Sequence, residues 1–336
     1  MTLLEVKNLK VHFKIQNGWV RAVDDVTFSI DSGETMGLVG ESGCGKTTAA
    51  YAITQLLPPN GYIKGGHIYF KGRDLLKLSM RKDGSLDDYN EKIRAIRWTE
   101  ISMIFQGAMN AFNPVFRIGD LIVEAIQLHE DVDDETARKR AKDLFEFVGI
   151  SPDRINNYPH EFSGGMKQRA MIALALALKP SFIIADEPTT ALDVITQDRI
   201  LMEIKKLQQK LDMAMMIITH DVSVVAEVSD KIGVMYAGML MEIGQTSQVF
   251  KNTAHPYTAG LLNSFPSIKG EKKRLETIPG FPPDLVNPPS GCPFHPRCQY
   301  VQAKCSEERP KSMEIEPGHL VYCHFAGELW DKLRRG

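Results

Sequence analysis

The stretch GESGCGKTT, residues 40–48, limits what this chain can fold into more than any other. Gly40, Gly45, Lys46 and Thr47 satisfy the spacing G-x-x-x-x-G-K-[ST]. Glycines at those positions let backbone N–H groups turn inward around phosphate oxygens, and a helix beginning near Lys46 adds the positive end of its dipole. Lys46 reaches the outer phosphates as a point charge, while the Thr47 hydroxyl suits a magnesium ion. A bare glycine-rich turn could contain the same residues. The context argues against it: ETMGLVG reads as a buried strand and TTAAYAITQLL as a helix, the setting such a loop needs. The expectation is an α/β fold that holds a nucleotide.

With 336 residues, 43% of them hydrophobic, the chain can bury a full core, and one large domain with an appendage is expected. The formal net charge is -2 and no long basic run appears, so no nucleic-acid partner is expected. The start lacks a charged-then-apolar secretory layout, and no apolar run approaches the roughly 18–20 residues that span a bilayer. Any membrane role should go through partners. Five cysteines without a secretory start point to reduced thiols or metal ligands in the cytoplasm.

Taken in order, residues 3–13 and 20–30 alternate as two strands of an antiparallel edge, with Phe13 and Trp19 as aromatic rings able to stack on a purine or simply to pack. Residues 73–98 are charged and irregular and read as surface decoration. ISMIFQ is a strand that empties into a loop at Gln106. From residue 118 the period turns helical, and Ala137, Ala141, Leu144, Phe145 and Val148 line one face of an inserted helical subdomain. Ser163, Gly164 and Gly165 then open a small, apolar helix, which offers a second set of free N–H groups to an anion.

SFIIADEP is a buried strand ending in Asp186 and Glu187. Adjacent acids at such an end need a reason, because buried carboxylates are costly. Magnesium supplies one for Asp186, and Glu187 can orient or deprotonate the water that attacks a terminal phosphate. Asp193 starts a helix with Ile200, Ile204, Leu207 and Leu211 on its apolar face. AMMIITH, another buried strand, ends in His220, on the edge where phosphate and magnesium would collect.

In this order the pieces resemble the ATP-binding subunit of an ABC transporter. The phosphate loop looks like the Walker A motif, Gln106 the Q-loop, FSGGM the signature, FIIADE the Walker B strand, Asp193 the D-loop and His220 the switch histidine. The resemblance covers residues 1 to about 250 and implies a mainly parallel phosphate-loop core with an antiparallel β edge and a helical subdomain at about 107–178. It also implies that ATP meets Phe13 through its adenine and Gly40, Glu41, Ser42, Gly43, Cys44, Gly45, Lys46, Thr47 and Thr48 through its phosphates. Magnesium falls to Thr47, Gln106 and Asp186, and catalysis to Glu187, His220 and Gln106. Two subunits, identical or related, would meet head to tail, so that Ser163, Gly164 and Gly165 serve the partner's ATP. The usual signature is LSGGQ; Met166 stands here where glutamine could donate a hydrogen bond.

Residues 251–336 form a proline- and cysteine-rich extension. IPGFPPDLVNPPSGCPFHPRC has few free N–H groups and should be an extended strap. Cys292, Cys298, Cys305 and Cys323 follow at C-x5-C-x6-C-x17-C, a spacing that makes a metal site plausible without identifying the metal; His295 and His324 are near enough to assist. The HPYT and PRC runs resemble the C-terminal extension of oligopeptide, dipeptide and nickel importer ATPases. That resemblance implies a 4Fe-4S cluster in preference to zinc, two transmembrane permease subunits, an extracytoplasmic solute-binding protein and a place on the cytoplasmic face of the membrane. A nickel importer ATPase and a soluble, non-transport ABC ATPase are the alternatives. Cys44, inside the loop, is the odd cysteine and has no metal or catalytic role.

Overall fold

A computed structural model of the chain describes residues 1–87, 90–107, 112–188, 194–264 and 278–333, with only some of the side chains between 194 and 207. The fold divides into two compact units, one made of Met1 and residues 31–34 and 88–218, the other of residues 2–30, 35–87 and 219–336.

The unit containing residues 88–218 is built on three parallel strands, Ile101–Ile104, Phe182–Asp186 and Ala214–Ile218, with Phe182–Asp186 in the middle. Every residue of the three is buried. This is why they read as continuous apolar runs: a parallel strand covered on both faces has no polar side to alternate with. Helices Ile118–Gln127, Asp134–Phe147 and Gly164–Ala175 form the helical part. Ala137, Ala141, Phe145 and Val148 are buried there as the helical period predicts, with Leu144 half-buried, and the Phe145 ring meets Phe162 edge-on at 6.2 Å. Helix Asp134–Phe147 is held at its start by the Asp133 carboxylate, which accepts the Thr136 N–H at 2.7 Å. In helix Val194–Leu211, Ile204 is buried as expected but Leu211, at the last turn, is exposed. The side chains of Ile200 and Leu207 lie outside the described residues.

The other unit has an antiparallel sheet in the order Gly18–Asp31, Thr2–Ile15, Gly61–Phe70, Arg73–Asp74. Its second sheet pairs Thr35–Val39 in parallel with Lys231–Tyr236, which continues antiparallel through Met239–Gln245, His319–Val321 and Met313–Glu316. The last two strands come from the extension and were not anticipated. Glu242 ties them in. Its carboxylate, fully buried, accepts the N–H groups of Ala254 (2.9 Å) and His255 (3.1 Å) and bonds His319 Nε2 at 2.8 Å. A buried carboxylate with this many donors is a satisfied one. The proline-rich stretch has no strand among its described residues 278–298, and instead of an extended strap it runs through bends and a turn into the short 3-10 helix His295–Arg297.

Residues 73–98 are more than decoration. Short helices Leu75–Ser79 and Glu91–Ile96 are capped by Asp74 and Asn90, and Leu75, Leu76, Ile93 and Ile96 are all buried. Their apolar residues are too few and too short in run to stand out among the charges, yet each helix turns them inward.

Candidate nucleotide site and cysteine centre

The phosphate loop leaves the buried strand Thr35–Val39 and enters helix Lys46–Ile53, as the spacing predicts. Two of its glycines are compulsory. Gly40 and Gly45 have φ of +151° and +104°, and a Cβ at either would stand about 2 Å from a carbonyl oxygen, at 2.0 Å from that of Met235 and 2.1 Å from that of Ala22. The loop is thus pressed against neighbouring backbone at both glycines. Lys46 is buried, and its ammonium donates to the carbonyls of Gly40 (2.8 Å) and Glu41 (3.1 Å), with Cys44 Sγ at 3.5 Å. Burial raises the Cys44 thiol above the ordinary value against the pull of Lys46, so it stays neutral beside the lysine.

Glu41 is gripped from three sides. Its N–H donates to the Tyr257 hydroxyl at 3.0 Å, its carbonyl takes Lys46, and its carboxylate receives both arms of the Arg297 guanidinium at 2.7 and 3.0 Å. Tyr257 belongs to the HPYT run and Arg297 to the PRC run. Nothing in the local pattern marks either residue, because its partner lies more than 200 positions away in the chain.

In the same unit Phe13 is half-buried and faces Gly61 in register, its ring edge 3.0 Å from where a Cβ of Gly61 would stand. Trp19 meets Tyr62 edge-on at 5.2 Å, and the Lys64 ammonium sits 3.8 Å above its ring, so one of its faces is taken. His220 is exposed just past buried Thr219.

In the other unit the structure brings together two residues that are 81 positions apart. Gln106 Nε2 donates to Glu187 Oε2 at 2.7 Å. Asp186, the last residue of its strand, is fully buried. Glu187 has a φ of +46° and donates its N–H to the carbonyl of Ile218 at 2.8 Å. A left-handed glutamate is strained, on the order of 1–2 kcal/mol, and such strain persists where the surroundings fix it. Ser163 caps helix Gly164–Ala175 and is exposed; its hydroxyl accepts the Met166 N–H at 3.4 Å. Asp193 lies outside the described residues.

The four extension cysteines line a single small cavity, together with His255, Phe294, His295 and His324. Cys292 and Cys305 are buried, Cys298 and Cys323 half-buried, and the Cys292 N–H donates to the Cys305 carbonyl at 2.8 Å. Burial pushes three of the thiols up, Cys292 to about 12, Cys323 to about 11, and Cys298 above its ordinary value. His295 Nδ1 is 2.9 Å from the Cys292 carbonyl and His324 Nε2 is 2.9 Å from that of Glu308, so those ring nitrogens are spent on backbone. Among the described residues no group of three or more His, Cys, Asp or Glu is drawn together closely enough to hold a metal ion. Nor is any described helix long and apolar enough to cross a membrane.

Comparison with known proteins agrees with this geometry. The ABC transporter family matches residues 23–190, and the oligopeptide/dipeptide transporter C-terminal region matches residues 241–305. The oligopeptide transport ATP-binding protein OppD of Bacillus subtilis (strain 168) is 46% identical over 323 residues, 95% of this chain and 87% of that protein. The dipeptide transport ATP-binding protein DppD of the same strain is 44% identical over 325 residues, 96% and 94% of the two chains. Among solved structures, the post-hydrolysis dimer of the ATP-binding cassette MJ0796 bound to ADP and Pi matches with a TM-score of 0.62 at 26% identity, over 72% of this chain and 98% of that one. A cassette of this length with that extension, sharing more than two-fifths of its residues with such relatives along nearly its whole length, belongs to the ABC transporter family of ATPases.

Proposed function

We propose that this chain is the ATP-binding and ATP-hydrolysing subunit that powers uptake of dipeptides or oligopeptides through a membrane ABC importer. The observation that carries the reading is the Gln106–Glu187 hydrogen bond beside a buried Asp186, in a chain that also has a complete phosphate loop. Lys46 and the loop amides that follow Glu41, residues 42–48, bind the ATP phosphates, and Phe13 stacks on the adenine. Thr47 and Asp186 offer oxygen ligands to magnesium, a hard cation that suits such donors. Bound magnesium would neutralise phosphate charge. Glu187 takes the proton of the attacking water, Gln106 orients its carboxylate and His220 contacts the terminal phosphate.

Two such subunits, identical or related, meet head to tail, with Ser163, Gly164, Gly165 and Asp193 serving the partner's ATP. Closure around two nucleotides moves two permease subunits, and hydrolysis reopens the pair. An extracytoplasmic solute-binding protein delivers the peptide. The peptide assignment leans on the extension, which resembles that of the peptide transport relatives. Reconstitution with the permeases and binding protein tests it: ATP-dependent uptake of a labelled dipeptide or oligopeptide is expected, and uptake of nickel alone would turn the assignment to the alternative.

In this structure the four extension cysteines share a cavity but are not drawn together closely enough to hold a metal ion; closing on that cavity, they would hold a 4Fe-4S cluster, zinc being the other metal their chemistry accepts. Support comes from their convergence on one shielded cavity. Cys292, Cys298, Cys305 and Cys323 are the ligands, and thiols must give up their protons when they bind, against the burial that raises those of Cys292, Cys298 and Cys323. Anaerobic purification should yield coloured protein with iron and sulfide; colourless protein with stoichiometric zinc would sink the cluster.

A further inference from the structure

Arg297 stands immediately before Cys298, which lines the cysteine cavity, yet its own charge is spent on the phosphate loop. Its side chain is only 6% exposed. One arm donates to Glu41 Oε2 and to the Tyr236 hydroxyl (2.7 and 3.2 Å), the other to Glu41 Oε1 (3.0 Å) and the Ile278 carbonyl (3.4 Å), and Nε donates to the Pro279 carbonyl at 2.7 Å. Burial works against the charge, but the bonds to Glu41 and Tyr236 hold the guanidinium above its ordinary value.

The second grip runs parallel to the first. Tyr257 follows Pro256, another cavity-lining residue, and its hydroxyl accepts the Glu41 N–H. Phe294, between Cys292 and Cys298, packs against both Tyr236 and Tyr257 with ring centroids 5.3 Å away. Glu41 therefore has its amide and carboxylate committed to the extension and its carbonyl to Lys46. It is placed to hold the loop's shape, leaving phosphate contact to the amides that follow.

We propose that Arg297 is a positioning residue for the phosphate loop: through Glu41 it fixes the curvature that receives ATP, so the cysteine-lined segment 292–298 and the nucleotide order each other. The proposal rests on the reading of residues 40–48 as the ATP site. Coupling of this kind is reciprocal. Whatever tightens the loop tightens the segment, and loosening the segment loosens the loop.

The test uses the full chain and two readouts, the equilibrium affinity for a fluorescent ATP analogue and backbone hydrogen exchange. Arg297→Met should weaken binding about tenfold, in the range usual for coupling between sites. Arg297→Lys, which keeps the charge but loses the fork, should fall between it and the wild type. In the wild type, ATP should slow exchange in residues 292–298; in Arg297→Met it should not. Folded Arg297→Met, with residues 319–321 protected as in the wild type, wild-type affinity and ATP still slowing exchange at 292–298, would reduce the arginine to an anchor of the strap and overturn the proposal. If Arg297→Met does not fold, Glu41→Gln decides on the same readouts: several-fold weaker binding and loss of ATP-induced protection support the proposal, and wild-type behaviour overturns it. A wild-type chain that binds ATP no better than Lys46→Ala would instead defeat the nucleotide reading itself.

Discussion

Gln106 and Glu187 are 81 residues apart and meet through one 2.7 Å hydrogen bond between the amide of the first and the carboxylate of the second. The glutamate's backbone is set by a left-handed φ and by the Ile218 carbonyl; the glutamine directs its side chain. A base that must face a water and a phosphate gains from both constraints, because small misplacements of reacting groups are expensive.

Removing the amide should therefore cost turnover more than binding. Gln106→Ala is expected to lower kcat for ATP on the order of 10²-fold while KM changes little. Steady-state hydrolysis over a range of ATP concentrations checks it; an unchanged kcat would show that Glu187 needs no orienting partner.

The loop glycines make a graded pair. At Gly45 an added methyl would meet the Ala22 carbonyl at 2.1 Å, whereas at Gly43, with φ +79°, it would meet nothing within 4 Å. Gly43→Ala should thus cost about 1–2 kcal/mol from its left-handed backbone alone. Gly45→Ala should cost more and lose ATP binding as well. Thermal melts and nucleotide titrations of the two variants separate these outcomes.

His255 makes stability depend on acid. It is buried, caps helix Pro256–Asn263 by accepting the Tyr257 N–H on Nδ1, and burial lowers its pKa to about 3 against a slight opposing hydrogen bond to the Tyr322 carbonyl. The folded chain therefore refuses a proton that the unfolded chain takes at about 6.5. Its contribution is fully present above that pH and is lost as pH falls toward 3, by roughly 1.4 kcal/mol per pH step. His255→Asn keeps a capping side chain but does not titrate. Melting temperatures from pH 7 down to 5 should fall less steeply in this variant than in the wild type; parallel curves would exclude His255 as the cause.

Local pattern was enough for the phosphate loop, the Asp186–Glu187 strand and the helical face of Ala137, Ala141 and Phe145, because each is specified by residues within a few turns of one another. What escaped the pattern are pairings across long separations. Arg297 reaches Glu41 over 256 residues, and His319 reaches Glu242 over 77. Strands His319–Val321 and Met313–Glu316 are three and four residues long, with exposed Met313 and Glu314, so no alternation announced them. Glu242 sits inside the apolar run MLMEIG with no local partner, and the groups that satisfy it arrive from a part of the chain that reads as an appendage.

The central claim, an ATPase whose catalytic base is Glu187, is tested most directly by ATP hydrolysis and ATP-dependent association of Glu187→Gln. The variant should bind ATP as well as the wild type, lose hydrolysis by about 10²–10⁴-fold and accumulate as a nucleotide-bound dimer in size-exclusion chromatography. Wild-type turnover in Glu187→Gln would contradict the account.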